Sequence, residues 1–232
     1  MRLSIIIPVH NEGGNIDNLI SRIENELRLD FEIIVVNDHS TDNTVKIAEE
    51  LAVKYKNIRL IDNNFEPGFA NTIKTGLANL KTEVVVPVMG DFCDGLSTIP
   101  IMLEKIEEGY DVVCASRYIR GGARLGGSKI KGFFSRFVGW SIFYFLKIPM
   151  HDVVNSFKMY RKKVIDSVDI MTESFEVSME LALKAYYGAF KITEVPTVWK
   201  EREKGKTNFK MLKLFPYYLK LYLWAVFKGV RS

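Results

Sequence analysis

Apolar positions along the first half of the chain fall into short unbroken runs separated by helically spaced ones. Leu3 to Val9, Phe31 to Val36, Ile58 to Ile61, Val84 to Val88 and Asp111 to Ala115 read as strands. A strand with few polar breaks is buried on both faces, as in a parallel sheet. Between these runs the period changes to that of a helix. Ile16, Leu19, Ile20, Ile23 and Leu27 share one face of a helix over Asn15 to Leu27. Thr44 to Tyr55, Gly68 to Leu80 and Ser97 to Glu108 behave likewise. The alternation predicts an α/β fold: a Rossmann-like, open, mainly parallel sheet with helices on both faces and right-handed crossovers. A later run, Lys191 to Val195, predicts a further strand.

Such sheets bind ligands just beyond the carboxyl ends of their strands. In this chain the predicted strands end in Asn11, Glu12, Asp38, Asp42, Asp91 and Asp94. Neither a Gly-x-Gly-x-x-Gly turn nor a Gly-Lys-Ser/Thr phosphate loop follows the first strand. Acidic strand ends repel bare phosphate and suit ribose hydroxyls, base donors or a divalent metal. Asp91 and Asp94 close the Val84 run and are free to point at one hard cation, a kind of ion commonly held by one or two carboxylates plus substrate phosphates. An Asp-rich turn capping the next helix accounts for the same residues.

Composition adds one asymmetry. The 232 residues carry a net charge of +4, with 47% apolar and 26% charged residues, ordinary for one globular α/β domain with an appendage. No global polyanion signal exists, and no nucleic-acid partner is expected. The segments from Arg117 to Arg136 and from Lys204 to the end nevertheless hold many cations and no acid. With apolar residues interleaved, they suggest phosphate or an anionic membrane surface. Cys93 and Cys114 have no ligand spacing and read as reduced packing thiols. His10, His39 and His151 carry no metal spacing. The chain starts on a strand-like run without a signal-peptide pattern, which points to the cytoplasm or its membrane face.

Several motifs, taken in order, are similar to those of family-2 glycosyltransferases, and within them to the polyprenyl-phosphate (dolichyl-phosphate) mannose and glucose synthases. They are Ile5 to Glu12, Val35 to Thr44, Pro67 to Leu77, Met89 to Asp94, Ala115 to Tyr118, Asp152 to Tyr160, Phe175 to Leu181 and Glu194 to Thr207. The resemblance implies a GT-A fold and a nucleotide diphosphate sugar donor, GDP- or UDP-linked. Pro8, Asn11 and Glu12 would lie under the nucleoside, and Asp38 would meet base or ribose. His10, Asn37, Gly68, Lys74 and Gly90 complete the implied donor set. Asp91 and Asp94 would hold Mg2+ or Mn2+ and the diphosphate. The usual Asp-x-Asp reads here Asp91-Phe-Cys-Asp94, and Asn37 stands where an acid often precedes Asp38.

On the acceptor side, Arg117 and Arg202 match phosphate bidentately. Together with Asp91, Asp94 and Asp152 they form the expected catalytic set. Arg117, Arg136, Asn155, Ser156 and Lys206 form the expected acceptor-phosphate set. Asp152 reads equally as an orienting group, a base or a turn acid. The charged, glycine-containing loop from Arg202 to Asn208 reads as a lid. Phe133 to Met150 is apolar around most of a helix but too short to span a bilayer, and reads as a core helix or a partly inserted one. From Pro216, placed in a first helical turn, Lys220, Trp224, Phe227, Lys228 and Arg231 share one arc of an interfacial helix. The predicted organisation is a catalytic domain over 1–208, divided into a nucleotide-sugar half (1–116) and an acceptor half (117–208), followed by a membrane-associating helix over 209–232. The expected reaction is inverting, metal-dependent transfer to a polyprenyl phosphate by a protein peripheral on the cytoplasmic face of a membrane. A glycan hydroxyl acceptor, a non-catalytic nucleotide-binding or membrane-associated protein and a homo-oligomer stay open, while the missing Gly-rich basic loop after the first strand counts against a nucleotidyltransferase.

Overall fold

The computed structural model of the chain describes residues 2–90, 93–201 and 211–230. Strands β1 (Leu3–Val9), β2 (Phe31–Asn37), β3 (Ile58–Asp62), β4 (Val84–Pro87) and β5 (Val112–Ser116) alternate with helices α1 (Ile16–Glu26), α2 (Thr44–Lys54), α3 (Phe69–Ala78) and α4 (Thr98–Glu107). The second half adds β6 (Ala123–Leu125), α5 (Lys129–Leu146), β7 (Lys158–Arg161), α6 (Lys162–Ser167), α7 (Val177–Tyr187), β8 (Ile192–Pro196), β9 (Val198–Lys200) and α8 (Met211–Val230).

A seven-stranded sheet runs in the order β3-β2-β1-β4-β7-β5-β8. Its pairings are parallel except those of β7, which lies antiparallel between β4 and β5. The side-chain alternation of each strand splits the core in two. Leu3, Ile5 and Ile7 of β1 and Ile33 and Val35 of β2 face α1, α2 and α4, joining Leu19, Ile23, Leu51 and Met102. Ile6, Ile34, Val36 and Val85 face the other way, against Ile73 and Leu77 of α3 and Val177, Leu181 and Ala185 of α7. Each of these buried Leu, Ile, Val and Met side chains contributes about 1.5–3 kcal/mol of transfer free energy. The predicted open, mainly parallel sheet with a helical layer on each face is the observed fold.

The topology decides where chemistry can sit. β1, β2, β4 and β5 all end at one edge. Because β7 runs backwards, its beginning lies at that same edge. Residues 151–157, just before β7, therefore stand beside the loops that follow β4 and β5. The reversed strand was not expected from the pattern, since Lys158–Arg161 has only four residues and includes two cations. A parallel two-stranded ribbon of β6 and β9 stands apart from the main sheet.

Helices α5 and α8 pack together, and α8 also lies on α7. α5 meets the main body at Gly139, where a Cβ atom would fall 1.8 Å from the His151 carbonyl oxygen. Ile142 is buried one turn further on, whereas Phe133, Phe137, Trp140 and Tyr144 form an exposed row. In α8, Leu214, Leu221 and Ala225 are buried, and Phe215, Leu219, Leu223 and Phe227 stand out at four-residue spacing. Two expectations change here. Pro216 is the sixth residue of α8 rather than part of its first turn, so one amide-to-carbonyl bond is absent inside the helix. Burial of Leu214 shows why the helix extends back past the proline. Trp224 does not sit with the exposed lysines. Its ring meets Tyr187 of α7 edge-on at 5.5 Å, and the Tyr187 hydroxyl donates to the Ala225 carbonyl at 2.6 Å.

The Gly139 contact leaves no room for a side chain. Gly139→Ala is expected to lower unfolding free energy by about 1–3 kcal/mol in urea titrations, the range for overpacking. Gly14→Ala, where a Cβ would meet nothing within 4 Å, should stay within about 0.5 kcal/mol.

Candidate active site

The loop after β1 begins the site. His10 Nδ1 donates to the Asp38 carbonyl at 2.6 Å, joining the ends of β1 and β2. Asn11 takes a left-handed backbone conformation, φ 56°. Its Oδ1 accepts from the amides of Thr41, at 2.8 Å, and Asp42, at 3.3 Å. Asn11 thus fastens the loop after β2 and does not line the cavity beside it. Glu12 does line it, held through Asn15 Nδ2, which donates to Oε2 at 2.7 Å.

Asp38 is buried, and its carboxylate accepts from Asn63 Nδ2 at 2.8 Å and from the Gly68 amide at 3.0 Å. That fixes the start of α3 against the end of β2, and both residues lie on the cavity wall. Phe69 and Phe175 stack at 4.8 Å and extend this wall. Asn37 turns aside, donating to Asp62 Oδ1 at 2.8 Å and accepting from the Ser40 amide. Lys74 lies on α3 away from the wall.

After β4, Gly90 sits against Pro8 and Glu12: a Cβ there would lie 3.6 Å from the Pro8 carbonyl and from Glu12 Cγ. Asp94 is a buried wall residue. Asp91 lies outside the described residues, as do Arg202, Lys206 and the proposed lid. Among the described residues no group of three or more His, Cys, Asp or Glu could hold a metal by itself. The chemistry of Asp94 still fits a hard cation completed by a ligand's phosphate oxygens, since such ions need only one or two protein carboxylates.

The opposite wall is cationic. Arg117 follows β5, and its side chain is only 11% exposed. Nε donates to Asp152 Oδ2 at 2.6 Å and a terminal nitrogen to Oδ1 at 2.8 Å, while the Arg117 amide adds a 3.0 Å bond to Oδ2. The same terminal nitrogen reaches Ser135 Oγ at 3.1 Å. Burial opposes the guanidinium charge, but attraction to Asp152, its hydrogen bonds and the more distant Asp94 hold the pKa above its ordinary value. Asp152 is completely buried behind Arg117, with both oxygens taken. It orients the guanidinium and is not placed to act as a base. Asn155 and Ser156 line the cavity, with Asn155 Nδ2 anchored on the Ala115 carbonyl at 2.8 Å. Arg136 is exposed on α5 and does not contribute to the wall.

Arg124 and Lys131, expected only as members of the acid-free basic run, and Ser135, which no sequence expectation named, also line this wall. Arg124 lies 5.0 Å over the Trp199 ring and donates to the Ser128 carbonyl. Lys131 and Ser135 are four residues apart, so they share the inner face of α5. That spacing within an aromatic helix was the available signal. Beyond them the wall turns apolar, with Phe134, Phe137 and Val138 of α5 opposite Phe215, Leu219 and Tyr222 of α8. The cavity encloses about 1270 Å³. Glu12, Asp38 and Asp94 line it on the side of β1, β2 and β4. Arg117, Arg124, Lys131 and Ser135, with Glu201 beside them, line it on the side of β5, the ribbon and α5, and aromatic side chains of α5 and α8 border it. The arrangement can accept hydroxyl donors, a phosphate and an apolar tail at once.

A dolichol-phosphate mannosyltransferase of Pyrococcus furiosus is 30% identical over 99% of this chain and 65% of its own length. A polyprenol monophosphomannose synthase of Mycolicibacterium smegmatis is 24% identical over 97% of this chain and 87% of its own. The chain therefore spans a little under two thirds of the first relative. Among solved structures, glucosyl-3-phosphoglycerate synthase from Mycobacterium tuberculosis, in complex with Mn2+, UDP and glucosyl-3-phosphoglycerate, shares the fold at TM-score 0.70 and 17% identity, covering 98% of this chain and 79% of that one. Residues 4–169, which carry the whole acidic end, Arg117 and the segment leading into β7, match Glycosyl transferase family 2, and to that family this chain belongs.

Proposed function

We propose that the chain is an inverting, metal-dependent glycosyltransferase. It moves a mannose- or glucose-type sugar from a GDP- or UDP-linked donor to a polyprenyl phosphate at the cytoplasmic face of a membrane. The observation that carries this reading is the single cavity joining buried acids, the Arg117–Ser135 pair and an apolar mouth between α5 and α8. The relatives named for dolichol- and polyprenol-phosphate substrates point the same way.

In this reading Glu12 and Asp38 take the nucleoside's hydroxyl and base donors. Asp94, with Asp91, would hold the cation, which when bound supplies positive charge to the departing diphosphate. Arg117 and Ser135 orient the acceptor phosphate, assisted by Arg124 and Lys131. An acceptor phosphate oxygen attacks the anomeric carbon as the bond from that carbon to the nucleoside diphosphate breaks, so the configuration inverts. The electron pair of the broken bond leaves with the diphosphate. The attacking oxygen is already ionised at neutral pH, so no general base is required, in keeping with the enclosure of Asp152.

No helix among the described residues is long and apolar enough to cross a membrane. The exposed aromatic row of α5 and the exposed face of α8, interspersed with Lys213, Lys220 and Lys228, suit an interfacial position instead. Anionic lipids of a cytoplasmic leaflet complement those lysines.

The reading predicts sugar transfer to farnesyl phosphate with Mg2+ or Mn2+, giving an acid-labile product and stopping when EDTA is added. Asp94→Asn should reduce turnover at least 100-fold with unchanged circular dichroism; full activity rejects the metal assignment. Arg117→Lys loses the forked contact, about 2 kcal/mol or roughly 30-fold in kcat/KM for the acceptor. In sedimentation with anionic vesicles, replacing Lys220 and Lys228 by Gln should weaken binding by about 2 kcal/mol, again roughly 30-fold, at low salt and much less at 1 M salt.

A further inference from the structure

Residues 151–158 present Asn155 and Ser156 to the cavity and Asp152 to Arg117, yet they form only the lead-in to a four-residue strand. Two buried charges of opposite sign hold this segment. On β8, the Glu194 side chain is 7% exposed. Its Oε1 accepts from the amides of His151, at 2.7 Å, and Asp152, at 3.2 Å, and its Oε2 bonds His151 Nδ1 at 2.7 Å. At the start of β7, Lys158 is completely buried. Its ammonium donates to the Val153 carbonyl at 2.9 Å and to the Asn155 carbonyl. A carboxylate thus takes the amides at one end of the segment, and an ammonium takes the carbonyls at the other. The backbone groups of an irregular buried loop, which cannot pair in the sheet, are satisfied this way.

The Lys158 position is informative because a cheaper occupant exists. Methionine has nearly the same shape and carries no desolvation cost, whereas a buried ammonium is costly unless well bonded. Burial does draw the Lys158 pKa below its ordinary value, with Asp152 and Glu194 acting in the opposite direction. What the ammonium offers that a thioether does not is two strong bonds to the carbonyls flanking Val154. α5 closes the segment from outside, through the Gly139–His151 contact and through Phe143, whose ring stacks on His151 at 3.8 Å.

We infer that Glu194 and Lys158, neither of which lines the cavity, are positioning residues that clamp residues 151–158 and so hold Arg117, Asn155 and Ser156 in register for the acceptor phosphate. The acceptor part rests on the function proposed above. Both side chains act through the backbone, so their loss should affect the phosphate wall and spare the nucleoside wall, which is built on β1, β2 and α3.

The experiment compares the full chain with Lys158→Met, Glu194→Gln and Glu194→Ala, using farnesyl phosphate as acceptor probe and GDP and UDP with Mg2+ as donor probes. Calorimetry should show farnesyl phosphate binding at least 10-fold weaker in Lys158→Met and Glu194→Ala, with nucleotide affinity within 2-fold of the unaltered chain. Glu194→Gln keeps an oxygen for the two amides and should retain most of the affinity. Hydrogen exchange of the ligand-free chain should be at least 10-fold faster over 151–156 and unchanged over β1 and β2. If Lys158→Met does not fold, the two Glu194 variants carry the comparison. Farnesyl phosphate affinity preserved in Lys158→Met and Glu194→Ala, or lost together with nucleotide affinity, overturns the positioning role. Failure of the unaltered chain to bind farnesyl phosphate overturns the acceptor reading instead. Exchange then still decides the clamp, and unchanged rates reject it.

Discussion

A carboxylate with no exposed surface is tolerated only when its charge and its lone pairs are answered, and at Asp152 a single residue answers most of them. The Arg117 guanidinium and amide together make three bonds to it. Breaking such a pair by removing one partner leaves an uncompensated buried charge, which typically costs about 3–5 kcal/mol. The arrangement of the second half follows from this requirement. Arg117 must leave β5 at the edge where the segment before β7 arrives, and β7 must run against its neighbours to bring that segment there. Ser135 on α5 then bonds the same guanidinium, which sets the helix against the cavity. The pair contributes less to stability than to geometry, because its two charges were costly to bury in the first place.

The acidic and cationic ends of the cavity are built differently. At the acidic end, loops following parallel strands are bound to one another: His10 to Asp38, Asn11 to the loop after β2, Asp38 to Gly68. Each connects a strand end with its neighbour in the sheet. The cationic end draws on a helix, a strand lead-in and a ribbon that are remote in sequence. The ribbon also touches the acidic end, since the Lys200 amide donates to the Cys93 carbonyl beside Asp94 at 3.1 Å. That backbone bond ties the ribbon to the loop that carries Asp94.

This difference explains how far the sequence could be read. β1 to β5 and their helices were legible because buried valine and isoleucine runs alternate with helical spacing, and Glu12, Asp38 and Asp94 fall at the strand ends that the fold rule selects. Asn11, Asn37 and Lys74 occur in the same motifs but face neighbouring loops or stand on α3, since a motif records proximity along the chain and not the direction of each side chain. Arg124 and Lys131 were legible only as members of the basic run, and Ser135 not at all, because placing them depends on how the ribbon and α5 pack against the cavity, which is a tertiary fact. β7 was missed for a related reason. Its lysine and arginine argue against a central strand, and only the carbonyls of Val153 and Asn155 make Lys158 acceptable there.

The position of β7 has a consequence for the order in which the molecule assembles. β5 pairs with β7 on one side and with β8 on the other, and with no earlier strand. A chain emerging from the ribosome can pair β1, β2, β3 and β4 once residue 87 is available, but β5 must wait for residues 158–161 before it gains any neighbour. Until then the far edge of β4 is open, and an open apolar strand edge is a template for pairing with other chains. β8, at residues 192–196, then closes the other side of β5, so the strip that carries Arg117 is completed only by strands that follow it in the chain, after the strands of the acidic half are already available to pair.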